Sequence, residues 1–306
     1  MRLATVLHEG RRRAAIVEDD RVLVTDVPSL DLAIAHVSDL ARLSGSWVGL
    51  EDVSFDAPLR PAVVLCAGQN YADHLEEKAP VEVSNPEFFI KAGQTIARPG
   101  DPFVLDPRVT GKLDYETELG IVIGAPARFI EPSDAADHIF GYVVLNDVTA
   151  RDRQLARNAE GGFDLALGPG KNFEGATRLG STVVTADAIA DPQQLEISTV
   201  VNGDLRQSNS TGSMVFDAGT ILAYLSNLIT LRPGTIIATG TPGGTGWGMD
   251  PELGGTSVTP SGCVPARYLT VGDEVTSRIG DIGELTFAVV AHEPGGTAGT
   301  GLAAAA

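Results

Sequence analysis

The chain has 306 residues, 43% of them hydrophobic, enough to bury a substantial core in one large domain or in a small unit beside a larger one. A formal net charge of −18 and an isoelectric point near 4.5 exclude a nucleic-acid partner, because phosphate backbones demand clustered Lys and Arg. No apolar run approaches the roughly 20 residues that cross a bilayer, and Met1-Arg2-Leu3-Ala4 leads straight into alternating sequence, so no membrane partner and a soluble, cytoplasmic protein are expected. Cys66 and Cys263 stand far apart and in no Cys-x-x-Cys pair, which suggests neither a disulfide framework nor a zinc site.

Residues 1–58 read as a separate small N-terminal α/β unit. Leu3 to Leu7, Arg13 to Val17 and Val22 to Val24 have the pattern of short strands joined by polar turns at Glu9-Gly10 and Asp19-Asp20, with Arg11-Arg12-Arg13 read as a turn. Apolar residues at Leu30, Ala33, Ile34, Val37, Leu40 and Ala41 predict a helix over 30–43, with Ser29 to cap it and Asp31 in its first turn. None of these residues proposes chemistry.

At Pro61 the character changes. Pro61 to Ala67 is a buried-type strand broken at Gly68, and Gly68 to Glu77 reads as a turn followed by a short helical start. Positions three apart on a helix are neighbours, so His74 and Glu77 can touch. A carboxylate that orients an imidazole makes it a general base; the same spacing also describes an ordinary exposed ion pair. Phe88-Phe89-Ile90-Lys91 ends in a lysine that either binds a carboxylate or snorkels from a buried strand. Residues 92–113, rich in Gly and Pro, read as loops around short strands.

From Tyr115 to Ile123 the residues suit a strand, and alternation places Glu116 and Glu118 on one face with Thr117, Leu119 and Ile121 on the other. Ile139 to Leu145 reads as a second strand that delivers Asp147 at its end. Glu-x-Glu on a strand is often a solvated sheet face, but three carboxylates on a rigid sheet are what Mg2+ or Mn2+ asks for. A helix starting after Thr149 leaves Arg151 and Gln154 near such a metal. Asn158 to Gly170, dense in glycine, reads as a flexible loop able to close over a substrate. It ends at Lys171, either a surface lysine or a group that binds a carboxylate or enolate.

Asn202-Gly203 between strand-like residues signals a type I′ hairpin, and Thr220 to Leu231 has helical spacing. Thr235 to Gly246 is a strand running into a glycine-rich loop without the Gly-Lys-Ser/Thr of a P-loop, better suited to backbone approach on a small carboxylate than on a phosphate. Residues 249–265 read as an exposed excursion before a closing strand pair, Asp273 to Arg278 and Glu284 to Val290, and the Gly/Ala-rich tail 295–306 is expected to be disordered.

Six stretches in order resemble the fumarylacetoacetate hydrolase (FAH) superfamily across residues 61–290: Gly68 to Glu77, Phe89-Ile90-Lys91, Asp114 to Leu119, Gly141 to Asp152, Val201 to Asp204 and Thr239 to Pro242. The resemblance implies an α+β, β-rich fold with a mixed sheet rolled into a partial barrel, a catalytic domain over 59–294, and a homodimer. It makes Glu116, Glu118 and Asp147 the ligands of Mg2+ or Mn2+, His74 and Glu77 a catalytic dyad, and Lys171 a substrate-side lysine. Lys91, Arg151, Gln154, Thr241 and Gly243 are the expected substrate contacts. The implied reaction is metal-dependent hydrolysis of a carbon–carbon bond in an acylpyruvate or 1,3-diketo acid, with an enolate as leaving group. The same chemistry serves isomerisation, decarboxylation or hydration of 2-oxo or hydroxymuconate-type acids, including in a natural-product pathway. A catalytically silent oxoacid binder on the same scaffold is the non-enzymatic alternative.

Overall fold

A computed structural model describes residues 1–36, 43–78, 83–160 and 162–293 of the chain. The expected tail 295–306 lies outside them, as do positions 37–42 of the predicted first helix, which is helical over Leu30–His36.

The fold is α+β and strand-rich. One long mixed sheet runs in the order Gly45–Gly49, Arg21–Thr25, Arg11–Val17, Arg2–His8, Val183–Thr185, Ile139–Asp147, Thr117–Ile123, Ile236–Ala238, Val63–Gly68 and Glu87–Ala92. Its neighbours pair antiparallel except Ile236–Ala238 with Val63–Gly68, which run parallel. A second sheet orders Asp204–Ser210, Glu196–Val201, Glu274–Ile279, Gly283–Ala291 and Phe103–Leu105. Thr117–Ile123 lies at the centre of the first sheet and is buried throughout. Its Leu119, Ile121 and Ile123 point into one core with Ile197, Ile279 and Leu285, whereas Val122 faces another with Val143 and Leu145. The Asn202-Gly203 turn has both φ angles positive, 53° and 85°, as a type I′ turn requires.

The first core also takes one face of the helix Ala218–Leu228, capped by Asp217, whose side chain accepts from the Thr220 amide. No helix among the described residues is long and apolar enough to cross a membrane. The first 58 residues continue the main sheet, since Arg2 and Leu3 pair with Val184 and Val183. Leu3, Ala14, Leu30 and Ala33 share a core with Val64, Val143 and Leu145.

Two expectations need correction. Arg11-Arg12-Arg13 opens a strand rather than forming a turn: these residues pair with His8, Leu7 and Val6, and the reversal is made by Glu9-Gly10 alone, at φ 49° and 72°. Alternation lets Arg12 leave the ladder sideways to meet Asp56 at 2.8 Å. The glycine-dense stretch before Lys171 is not a structureless loop either. Leu155–Arg157 pairs with Phe163–Leu165 as a hairpin, and Leu167–Lys171 forms a helical turn. Gly170 is required there by close packing, because a Cβ would fall 2.5 Å from the Gln154 Cβ.

Candidate active site

The strand Val63–Gly68 ends in a turn with Gln69 at φ 55°, and Asn70 anchors the chain as it leaves that turn. Its amide donates to the Thr239 and Phe216 carbonyls at 2.8 and 3.0 Å and accepts from the Phe216 amide at 2.8 Å. The short helix Ala72–Glu76 then carries His74, and Glu77 caps its C-terminal end. His74 Nδ1 lies 2.7 Å from Glu77 Oε2, with both side chains buried. Glu77 is itself saturated: Thr245 Oγ1 donates to Oε2 at 2.9 Å, and the Gly244 and Thr245 amides donate to Oε1 at 2.6 and 3.0 Å. A carboxylate held by three other donors accepts the Nδ1 proton, which leaves Nε2 with its lone pair.

The glycine-rich loop therefore cradles a carboxylate, and the carboxylate belongs to the chain. It does the same for Asp114, which accepts from the Gly246 and Trp247 amides at 2.8 and 3.0 Å. Gly244, at φ 103°, sits where a Cβ would come within 2.0 Å of the Arg206 carbonyl oxygen, so only glycine lets the loop approach.

Glu118 lies on the strand Thr117–Ile123 and Glu116 immediately before it, and Asp147 ends the neighbouring strand. Their ligand oxygens all lie within 4.8 Å of one another, and all three residues are buried. Lys171 Nζ donates to Glu116 Oε2 at 2.5 Å, Asp147 Oδ2 at 2.8 Å and Thr149 Oγ1 at 2.7 Å. Lys91 Nζ donates to Asp147 Oδ1 and to the Ala176 carbonyl. Arg151 bridges Asp114 and Glu116, at 2.7 and 2.6 Å. Burial works against the charge of Glu116, yet Lys171 and Arg151 outweigh it and hold the carboxyl well below the usual range. Burial likewise opposes the Lys171 ammonium, and Asp147 and Glu116 keep it charged.

Glu118 is different. Among the described residues it has no cationic partner, only the Gly240 amide at 2.7 Å, and burial together with Asp147 and Glu116 drives its carboxyl well above the usual range. Four buried carboxylates, Asp114 included, thus face three cations, Lys91, Arg151 and Lys171. One positive charge is short at Glu118, and the donor set is all hard oxygen. These residues fit a divalent cation of the Mg2+ or Mn2+ kind.

His74, Glu116, Glu118, Arg151, Gln154, Lys171 and Thr241 all line one cavity of about 210 Å³. Lys91, Gly243 and Asp147 do not. Lys91 is fully buried beneath Asp147, and Gly243 packs on Asp73, whose carbonyl oxygen would lie 3.1 Å from an added Cβ. Glu77 stands behind His74. Three lining or supporting groups escaped the sequence reading: Lys78, Trp247 and Thr245. Trp247 meets the His74 ring edge-on at 6.2 Å between centroids, with its indole N–H fixed on the Leu253 carbonyl at 2.9 Å. A tryptophan inside a run of glycines was the available signal.

Residues 63–290 match the family model for the C-terminal domain of fumarylacetoacetate (FAA) hydrolase. The chain is 38% identical over 240 residues to the mitochondrial oxaloacetate tautomerase FAHD2A of Homo sapiens, covering 78% of this chain and 70% of that protein. It is 34% identical over 276 residues to the oxaloacetate tautomerase YisK of Bacillus subtilis, covering 86% and 85%. The solved structure of a fumarylacetoacetate hydrolase from the psychrophilic Exiguobacterium antarcticum superposes with a TM-score of 0.76 at 35% identity, over 95% of this chain and 100% of that one.

Proposed function

The chain belongs to the fumarylacetoacetate hydrolase family, and from that premise we propose that it is a divalent-metal-dependent tautomerase of a short 2-oxo acid, with oxaloacetate as the first candidate. The observation that carries this reading is that His74, backed by Glu77, lines the same cavity as Glu116 and Glu118, whose carboxylates gather with that of the buried Asp147. An oriented base facing a cluster of hard ligands suits proton transfer at the carbon next to a polarised carbonyl.

Glu116, Glu118 and Asp147 would hold the cation, and the chemistry it supplies when bound is stabilisation of negative charge on the 2-oxo oxygen. Arg151 has N–H donors to spare for the substrate carboxylate, and Lys171, whose three donors go to Glu116, Asp147 and Thr149, adds positive charge to the same region. His74 Nε2 takes the proton from C3 as the C2–C3 double bond forms, and the proton returns to the oxygen on C2, so no atom is gained or lost. Glu77 holds the imidazolium in place between the two transfers.

The second reading is hydrolysis of a carbon–carbon bond in an acylpyruvate, favoured by the 35% identity to the hydrolase structure. There the same Nε2 takes its proton from water. The deciding experiment tracks enol-to-keto conversion of oxaloacetate by ultraviolet absorbance with Mg2+ or Mn2+, alongside chromatography of acylpyruvate digests. Acceleration that vanishes in His74→Ala supports the tautomerase. Acylpyruvate cleavage with no effect on the enol favours the hydrolase, and tight binding of both acids without turnover leaves a silent binder.

A further inference from the structure

The cavity contains one cation that the site's own acids do not neutralise. Arg151 is charge-paired with Asp114 and Glu116, though its fork keeps further N–H groups, and Lys171 is spent on Glu116, Asp147 and Thr149. Lys78 also lines the cavity, but among the described residues its ammonium has no hydrogen-bond or ion-pair partner. It hangs instead over the Trp247 ring, 4.4 Å from the centroid. The Arg151 guanidinium lies 5.1 Å from the same centroid, and the His74 ring 6.2 Å. Trp247 thus gathers the base and both of these cations around one rigid plate, whose position is pinned by the Leu253 carbonyl.

From this geometry we propose that Lys78 is a specificity residue that receives the distal carboxylate of a 2-oxo dicarboxylic acid, while Arg151 serves the carboxylate next to the oxo group. The assignment rests on the reading of the site as a 2-oxo acid site. An ammonium in a partly buried cavity has lost part of its hydration, and an anion that enters with the ligand compensates that loss better than a neutral group does. The apolar side of the cavity, Phe89, Leu165 and Leu167, offers a distal carboxylate no donor, whereas Lys78 offers it a positive charge that no acid of the site has taken up. Burial, and after it the positive charge of Arg151, brings the Lys78 ammonium down to about 8; Glu116 and Glu77 pull it up, and Lys171 pulls it further down. It remains charged at neutral pH.

The test uses the full chain with Mg2+ and compares oxaloacetate with 2-oxobutanoate, which has a methyl group in place of the distal carboxylate. Binding is read by calorimetric titration and turnover by kcat/KM, for the wild type, Lys78→Met and Lys78→Arg. Methionine keeps a stem to cover Trp247, and thermal melts check that each variant folds. The expected result is that the preference for the dicarboxylate falls about 10- to 100-fold in Lys78→Met, mostly through KM, and is largely restored in Lys78→Arg. If Lys78→Met weakens both acids equally, or leaves the preference intact, Lys78 is not the distal subsite. Binding without turnover in the wild type would sink the tautomerase reading alone, because the preference is still measured by titration. Failure of the wild type to bind either acid overturns both.

Discussion

Glu118 shows how a single side chain can declare a missing partner. Glu116 and Asp147 are each met by a lysine, yet Glu118 is buried with only a backbone amide for company. Glu118→Gln keeps an oxygen for the Gly240 amide and removes the charge. The expected outcome is a loss of Mg2+ or Mn2+ affinity of about 100-fold by calorimetry, with no fall in the melting temperature of the metal-free protein. This site was legible from residue types alone, because strand alternation has a period of two and needs no knowledge of distant contacts. His74 and Glu77 were legible for the same reason, at helical spacing. Lys91 was not: whether its amine reaches substrate or lies beneath Asp147 depends on how far the strand Glu87–Ala92 is covered, which local pattern does not encode.

At the scale of elements, the loop 240–248 is the part whose role changed most between sequence and structure. Its glycines suggested approach to a ligand, but its amides at 244–247 are taken by Glu77 and Asp114. The glycine at 248 belongs to this arrangement, since a Cβ there would fall 2.4 Å from Glu77 Oε1. Glu77 is pinned from several sides and has little room to yield. Gly248→Ala is therefore expected to lower kcat about 100-fold by tilting His74, with metal affinity retained, as paired kinetics and titration would reveal. A second element-level prediction concerns pH. Asp273 ties the Asn202 hairpin to the strand Glu274–Ile279: burial opposes its charge, but Arg267, the Thr270 amide and Asn202 outweigh it and hold the carboxyl well below the usual range. A depressed carboxyl stabilises the fold above its unfolded value of about 3.9 and loses that contribution as pH falls through this range. The stability gap between the wild type and Asp273→Asn, about 1 kcal/mol after discounting for solvent screening, should hold steady from neutral pH down and close under acid, as urea melts across pH would show.

For the whole molecule, the three carboxylates that would hold a cation lie on or beside two neighbouring strands of one sheet, so a bound cation would cross-link them. Mg2+ at about 100 times its Kd should add about 2.7 kcal/mol, seen as a melting temperature several degrees higher and reversed by EDTA. An unchanged melt at saturating metal would show that the carboxylate cluster is structural. The β-rich α+β class followed from the family resemblance, and the individual strands near the site from alternation and turn chemistry. The sharing of one sheet by residues 1–58 with the remainder did not, because the pairing of Arg2 and Leu3 with Val184 and Val183 joins segments about 180 positions apart. A similar span separates the two halves of the dyad's support: Glu77 takes its amides from Gly244 and Thr245, 167 and 168 residues downstream. A ribosome that has released the chain only as far as the strand Thr117–Ile123 has made His74, Glu77, Glu116 and Glu118 and still has no oriented base. Catalytic competence is thus among the last properties this polypeptide acquires during synthesis, gained when Ile236–Ala238 slots in beside Val63–Gly68 and brings its loop along.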